Sequence, residues 1–213
     1  MRKKFLCLFL CLTLLFSLMP MSVSAAGAVY TVGDNTFYTG SGDQSGSGWK
    51  WEEKTHTLTL DDYYGGSITT NSDMRIVVNS KSHITGDYKK SSYSGYAGIS
   101  VLGNLQMTLY AELSIETKDS ESDNYGIICG VLDLTIQPKG VLKDGDNCDW
   151  LINCTVSSNM IVYGAIECNA ALMLSKGNCN LKLDGSITVD PSKKTEKAIN
   201  IEYADFTITG KGK

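Results

Sequence analysis

Short stretches of alternating hydrophobic and polar residues run through most of the chain. Examples are HTLTL (56–60), MRIVV (74–78), LDLTI (132–136) and FTITG (206–210). A period of two residues is typical of β-strands that bury one face, and no segment beyond residue 25 carries a helical period over ten or more residues. Glycine and serine between the stretches favour tight turns. The pattern therefore predicts a nearly all-β protein.

From Gly98 onward these stretches group into repeated units. The units begin at residues 98, 126, 151, 171 and 198, and each holds three short alternating strands. A unit of this size that cannot bury its apolar face alone is typical of one coil of a solenoid, in which stacked coils form ladders of like residues. We therefore predict a right-handed, single-stranded parallel β-helix. The alternative is a β-sandwich, which also has frequent turns but does not explain why whole units superpose in three parts.

Three segments follow from this pattern. Residues 1–25 resemble a secretory signal peptide, with a basic start, an apolar run that is too short to cross a bilayer, and small residues before Ala25. Residues 26–48 end in a Gly/Ser-rich run that predicts a loop or flexible lead-in. Residues 49–213 form the predicted β-helix, with Trp49 and Trp51 capping its first coil. The chain ends in mid-coil, so we expect either a truncated product or an end-to-end contact with another copy.

The charge balance limits the partners. Cleavage after Ala25 removes three of the 19 Lys and Arg residues and none of the 23 Asp and Glu residues, which leaves a formal charge of −7. This balance argues against nucleic acid and anionic membrane as partners. We expect a secreted or cell-surface protein with no membrane span once the signal peptide is removed.

Five cysteines lie beyond the signal peptide, and the repeat places four of them on inward ladder positions. The aligned groups are Cys129 and Cys154 with Val101, Leu174 and Ile201; Cys168 with Ile115 and Val189; and Cys179 with Leu105 and Leu132. Buried thiols are the favoured interpretation. A disulfide between Cys129 and Cys154 is the alternative, because stacked strands lie about 4.8 Å apart.

Two acidic loops repeat at an offset of 25 residues. The segments KDSESDNY (118–125) and KDGDNCDW (143–150) would stack Asp119 on Asp144 and Glu121 on Asp146. Stacked carboxylates repel one another unless a cation bridges them, and Ca²⁺ takes oxygen ligands from such loops. The candidate metal ligands are Asp119, Glu121, Asp144, Asp146 and Asp149, and a solvated acidic loop is the alternative.

Aromatic residues in predicted turns are candidates for sugar binding. A flat ring with a polar tip can pack on a sugar face and bond its hydroxyls. The candidates are Tyr63, Tyr64, Tyr125 and Trp150, with Tyr125 stacked on Trp150 by the same offset. The alternative is that these rings shield the edges of the coils.

Signals for catalysis are poor. The chain contains none of the short motifs of nucleophilic hydrolases, zinc proteases or nucleotide-binding proteins. Its two histidines, His56 and His83, lie in strand patterns, and Arg75 is the only arginine beyond the signal peptide. We therefore expect a protein that is not an enzyme.

Several motifs resemble a known family. Three segments carry the resemblance: Trp49 to Ile68, with W-x-W and T-L-T-L-D-D-Y; Gly98 to Met107, with G-I-x-V-x-G-N-L-x-M; and Phe206 to Gly212, with F-T-I-T-G-K-G. They are similar to a family of secreted bacterial right-handed β-helices described as carbohydrate-binding domains. The resemblance covers roughly Trp49 to the C-terminus and implies a glycan binder, with calcium-assisted binding of acidic polysaccharide as one activity. The family has no fixed catalytic residues to transfer.

These observations lead to one expected function and two alternatives. We expect a secreted or cell-surface, non-catalytic β-helix that binds polysaccharide, with calcium bridging the acidic loops to an acidic glycan. The alternatives are a structural or adhesive surface module that binds a protein partner, and a β-helical polysaccharide lyase or glycosidase.

Overall fold

The chain forms a β-solenoid of about four turns with parallel, stacked strands, which confirms the predicted parallel β-helix. The computed structural model describes residues 27–89, 95–118, 123–169, 171–175, 177–189, 199–201 and 205–213. The predicted signal peptide (1–25), Asp119 and Glu121 lie outside these residues. Inward and outward side chains alternate along the strands, as in Met74–Val78, because adjacent strand residues point to opposite faces.

The strands begin with an N-terminal group of mostly antiparallel pairs. They are β1 (Val29–Val32), β2 (Asn35–Tyr38), β3 (Gln44–Gly46) and β4 (Trp49–Glu52), followed by a 3₁₀ turn (Glu53–Thr55). The first coils comprise β5 (Thr57–Leu60), β6 (Tyr64–Gly65), β7 (Ile68–Thr70), β8 (Met74–Val78), β9 (Ser82–Gly86) and β10 (Tyr88–Lys89).

Long strands then turn a corner of the coil without a break. The remaining elements are β11 (Tyr96–Leu109), β12 (Glu112–Thr117), β13 (Tyr125–Ile136), β14 (Val141–Asp144), β15 (Trp150–Val162), β16 (Ala165–Cys168), β17 (Ala171–Ser175), β18 (Cys179–Leu183), β19 (Ser186–Val189), β20 (Ile199–Ile201) and β21 (Phe206–Gly210). The register shifts between Val101 and Asn104 in β11 and between Cys129 and Val131 in β13, where each strand passes from one face to the next.

Three parallel faces enclose the core. The covered face consists of β7, the first halves of β11, β13 and β15, then β17 and β20; its outward residues Ser100, Ile128 and Asn153 are themselves buried. The ladder face consists of β5, β8, the second halves of β11, β13 and β15, then β18 and β21. The cleft face is a separate sheet in the order β6, β9, β12, β14, β16, β19.

Register confirms most of the cysteine alignment. Cys129 pairs with Val101 and Cys154, Cys168 with Val189, and Cys179 shares a ladder with Leu132 through Ser158. The alignment of Leu174 was wrong by one residue, because Cys154 pairs with Ser175. Among the described residues no disulfide forms, and the Sγ atoms of Cys129 and Cys154 lie 3.6 Å apart.

The register at Asp144 differs from the predicted offset of 25 residues, while Asp119 lies outside the described residues. Asp144 pairs with Ile115, 29 residues earlier, and the backbone N–H of Thr117 donates to the carbonyl of Asp146. After the loop, paired residues are again 25 positions apart in sequence, since Tyr125 pairs with Trp150 as predicted. The segment from Ile115 to Tyr125 is therefore four residues longer than the segment from Asp144 to Trp150, and the two loops do not match position by position.

An aromatic cap closes the first coil, and it involves residues expected to be a loop. Residues 27–48 contribute three strands: β1 pairs antiparallel with β2 and β7, and β3 pairs with β4. The ring centroids of Tyr30 and Trp51 lie 4.4 Å apart, and those of Phe37 and Trp49 lie 6.0 Å apart. Trp49 and Trp51 are buried in this cap, in the place that the sequence predicts for them.

Candidate functional site

The four aromatic candidates occupy different environments. Tyr63 is buried, and its hydroxyl donates to the carbonyl of Gly66 at 2.9 Å. Burial, with smaller contributions from Asp34 and Asp87, raises the pKa of Tyr63 to about 12. The ring of Tyr63 is thus a packing element whose face does not meet solvent.

Tyr125 and Trp150 pack together rather than standing as an external platform. Tyr125 is buried with Ala97 and Ile128, and the half-buried Trp150 packs against this small cluster. Their rings therefore shield the edge of the covered face. Tyr64 differs from the other three, since 80% of it is exposed.

Two of the candidate metal ligands make coil-to-coil hydrogen bonds. The Oδ1 atom of Asp144 accepts from the backbone N–H of Asn169 at 2.7 Å, and Asp144 is 4% exposed. The Oδ2 atom of Asp149 accepts from the backbone N–H of Asn124 at 2.9 Å. Asp146 is exposed. Across the described ranges, no group of three or more His, Cys, Asp or Glu side chains is placed to hold a metal ion.

The second acidic loop is held against the end of β12. The backbone N–H of Gly145 donates to the carbonyl of Ile115, and the hydroxyl of Thr117 donates to the carbonyl of Asn147 at 2.8 Å. The side-chain amide of Asn147 donates back to the carbonyl of Thr117. These bonds tie the loop to the preceding coil, while Asp146 and Asn147 stay exposed to solvent.

A polar cleft opens beside Tyr64 on the cleft face. The rings of Tyr64 and His83 stack with centroids 4.7 Å apart and an interplanar angle of 20°, because the two residues are register partners on β6 and β9. The cleft has a volume of about 280 Å³, and its walls include Lys81, Ser114 and Lys143. The stack fixes the orientation of the exposed tyrosine ring at the mouth of the cleft.

Ion pairs order the charged side chains of this cleft. The Oε1 atom of Glu112 lies 3.1 Å from Nζ of Lys81 and 3.0 Å from Nζ of Lys143. The hydrogen bond from Lys143 is the main cause of the lowered pKa of Glu112; burial opposes it, and Lys81 adds a smaller lowering. Farther along, Nε2 of His83 lies 3.2 Å from Oε1 of Glu116.

A second cavity continues along the same face. It has a volume of about 440 Å³, and its walls include Lys143, Glu167, Asn169 and Thr188. Because Lys143 lines both cavities, the cleft face carries a continuous polar strip from Tyr64 to Thr188.

Sequence reasoning did not identify the charged part of this site. Lys81, Glu112 and Lys143 are about thirty residues apart, and only the coil register brings them together. His83 does lie outward on a strand, as expected, and the alternation of β9 was the available signal. His56 is not in a strand; it follows the 3₁₀ turn with a left-handed backbone conformation, φ 48°.

Comparison of the chain with protein-family models, curated proteins and solved structures finds no match. The resemblance to secreted carbohydrate-binding β-helices therefore stays a prediction. In the part of the chain that the structure describes, no helix is long and apolar enough to span a membrane.

Proposed function

We propose that this protein is a secreted or cell-surface, non-catalytic β-helix that binds carbohydrate in the cleft beside Tyr64. The observation that carries this proposal is the exposed, oriented ring of Tyr64 at the mouth of a polar cleft. An aromatic ring whose orientation is already fixed loses little conformational entropy when a sugar packs on its free face.

The charges of the cleft favour an acidic sugar. Lys81 and Lys143 share one carboxylate, that of Glu112. The side chain of Lys81 is 74% exposed, so its ammonium group has donors available for a ligand carboxylate. A uronic acid residue would place its ring on Tyr64 and its carboxylate near Lys81.

Calcium assistance is a separate part of the proposal. Ca²⁺ binds carboxylate oxygens, and the exposed carboxylate of Asp146, together with Asp119 and Glu121 of the longer loop, would supply them. Asp144 and Asp149 each accept a backbone hydrogen bond through one carboxylate oxygen, so calcium would bind their other oxygen or replace that bond.

Titration calorimetry with uronic acid oligosaccharides tests the proposal. We expect wild-type protein to bind and Tyr64→Ala to lose tenfold or more in affinity, as expected for a lost aromatic platform worth about 1–2 kcal/mol. Tyr38→Ala is the matched control, since Tyr38 is also exposed but lies in the cap. Equal affinities of the Tyr64 and Tyr38 variants would show that the cleft is not the site.

Repeating the titration with calcium and with EDTA tests the calcium part. We expect calcium to tighten binding and Asp146→Asn to reduce that effect. Binding that is the same in calcium and EDTA would remove calcium from the proposal and leave the cleft intact. Release of reducing ends or unsaturated products from the same oligosaccharides would instead show an enzyme.

A further inference from the structure

A row of polar side chains runs along the ladder face, one from each stacked strand. Arg75 pairs with Gln106, Gln106 with Asp133, Asp133 with Asn159, and Asn159 with Asn180. Thr57 and Thr207 continue the row at its two ends. The set, called here the polar ladder, is Thr57, Arg75, Gln106, Asp133, Asn159, Asn180 and Thr207.

The central members of the polar ladder are exposed and unpaired among the described residues. Arg75, Gln106, Asp133, Asn159 and Asn180 are all exposed, and none of these five side chains forms a hydrogen bond or ion pair with another residue that the structure describes. On the cleft face, in contrast, Glu112 is paired with Lys81 and Lys143, and Glu116 lies beside His83. A ligand can bind the polar ladder without first breaking protein contacts.

A second row of outward side chains lies next to the polar ladder, and most of them are half-buried. This row lies two residues along each strand and consists of Thr59, Val77, Thr108, Thr135, Ile161, Lys182 and Thr209. Most members of this row are half-buried threonine or β-branched aliphatic residues. The side chain of Lys182 contacts Tyr163 and Asp184: its Nζ lies 5.4 Å from the ring centroid of Tyr163 and 3.4 Å from Oδ2 of Asp184. Most side chains of this row are therefore less exposed than those of the polar ladder beside it.

One end of the polar ladder is a groove. Its volume is about 340 Å³, and its walls include His56, Arg75, Gln106 and Asp133. Asp73, also in its wall, is held by Asn104, whose backbone N–H donates to Oδ1 at 2.7 Å. Three consecutive ladder residues therefore line a concave surface rather than an open plane.

The donor and acceptor groups of the polar ladder match hydroxyls. Arginine only donates, a carboxylate only accepts, and the amides of Gln106, Asn159 and Asn180 do both. Arg75 and Asp133 have opposite charges, so the row has no net charge to attract a polyanion. A hydroxyl both donates and accepts, and it therefore finds a partner at every step. The spacing of about 4.8 Å between stacked strands makes the row periodic, which suits a repeating chain better than a compact ligand.

We propose that the polar ladder binds a linear, uncharged polysaccharide that lies along the stacking direction of the coils. The chain begins in the groove at Arg75 and extends over Asn159 and Asn180, with its sugar hydroxyls bonded to the ladder side chains. This site is separate from the Tyr64 cleft and takes a ligand of different charge, so either site can be shown to bind while the other does not.

Calorimetry with β-1,4-linked glucose, xylose and mannose oligomers of one to six residues tests the proposal. We expect affinity for at least one series to rise with oligomer length, because each added sugar residue contacts another side chain of the polar ladder. Gln106→Ala and Asn159→Ala should each weaken binding of the longest oligomer by about fivefold or more, as expected for a lost hydrogen bond.

Matched variants separate this site from others. Asn79→Ala removes an exposed amide that lies just beyond β8 and off the polar ladder, and Tyr64→Ala disrupts the acidic-sugar cleft; both should bind the neutral oligomers as wild type does. Thermal unfolding of each variant checks that its fold is intact. The proposal would be overturned if none of the three series bound, or if affinity did not change with oligomer length. It would also be overturned if Asn79→Ala lost as much affinity for the longest oligomer as Gln106→Ala and Asn159→Ala.

Discussion

The carboxylate of Asp149 accepts a hydrogen bond from the backbone N–H of Asn124, one coil away, at 2.9 Å. The side chain of Asn124 makes the equivalent contact one coil earlier, where its Oδ1 atom accepts from the backbone N–H of Tyr96 at 2.8 Å. The corner between the cleft face and the covered face is therefore bonded from coil to coil by one short polar side chain per turn. A residue that the sequence suggested as a calcium ligand is part of this corner.

Removal of the Asp149 carboxylate should destabilise the solenoid. We expect Asp149→Ala to lower the free energy of unfolding by about 1.5–3 kcal/mol, the usual value for a hydrogen bond to a charged group. Asp149→Asn keeps an oxygen acceptor and should recover part of this loss. Asp133→Ala, which removes an exposed carboxylate, should change stability by less than about 0.5 kcal/mol.

Urea unfolding followed by circular dichroism gives these values, and the same measurement in calcium and in EDTA separates two roles for Asp149. A loss in Asp149→Ala that occurs only in calcium would show that the carboxylate binds the metal rather than the backbone of Asn124.

The cysteine thiols should react slowly in the folded protein. Burial is the main cause of the raised pKa of Cys168 and Cys179. Burial also raises the pKa of Cys148 to about 12. The pKa of Cys154 is raised mainly by its contact with Cys129. Because the thiolate is the reactive form, we expect little alkylation by iodoacetamide at pH 8 in native protein, and modification in urea of all five cysteines beyond residue 25. Peptide mass spectrometry without reductant checks the Cys129–Cys154 pair, and linked peptides would contradict the reduced thiols of the structure.

The aromatic cap should contribute strongly to stability. Trp51 is 1% exposed and contacts the rings of Tyr30 and Phe37, so Trp51→Ala should cost about 3–5 kcal/mol of unfolding free energy. Tyr38→Ala, on the exposed side of β2, should cost less than about 1 kcal/mol. Similar losses in the two variants, measured by urea unfolding, would mean that the N-terminal strands do not pack on the first coil.

The pairing of Glu112 with two lysines should make stability depend on pH. A carboxyl whose pKa is lower in the folded state stabilises the protein above its unfolded pKa, and this contribution is lost as pH falls through the folded value. We expect Glu112→Gln to be less stable than wild type by about 0.5–1 kcal/mol at pH 7, with a difference that disappears at low pH.

Melting temperatures measured from pH 7 to pH 3 test this expectation. Glu167→Gln is the control, because Glu167 is an exposed outward residue of the same face with no ion pair among the described residues. A Glu112→Gln difference that stays constant over this range would contradict a contribution from the charged carboxylate.

The polar cleft and the polar ladder illustrate why sites were harder to predict than the fold. Alternation indicated that His83 points outward, but which outward residues become neighbours depends on the number of residues in every corner of the coil. Along one pair of coils the offset is 28 residues at Ala97, 27 at Leu105 and 29 at Glu112. Applying one sequence spacing to a whole coil therefore assigns wrong neighbours on at least one face, as it did for Asp144.

The sequence by itself determined that the chain stacks β-coils and that most of its cysteines point inward, because strand alternation and unit length depend only on local residue order. The tertiary structure alone decided that Tyr63 and Tyr125 are buried while Tyr64 is exposed, and that residues 27–48 form a cap. These outcomes depend on which strand covers which ring and on how many residues each corner takes up. The physical reason is that packing between coils is set by register, and register is a property of pairs of strands far apart in the chain.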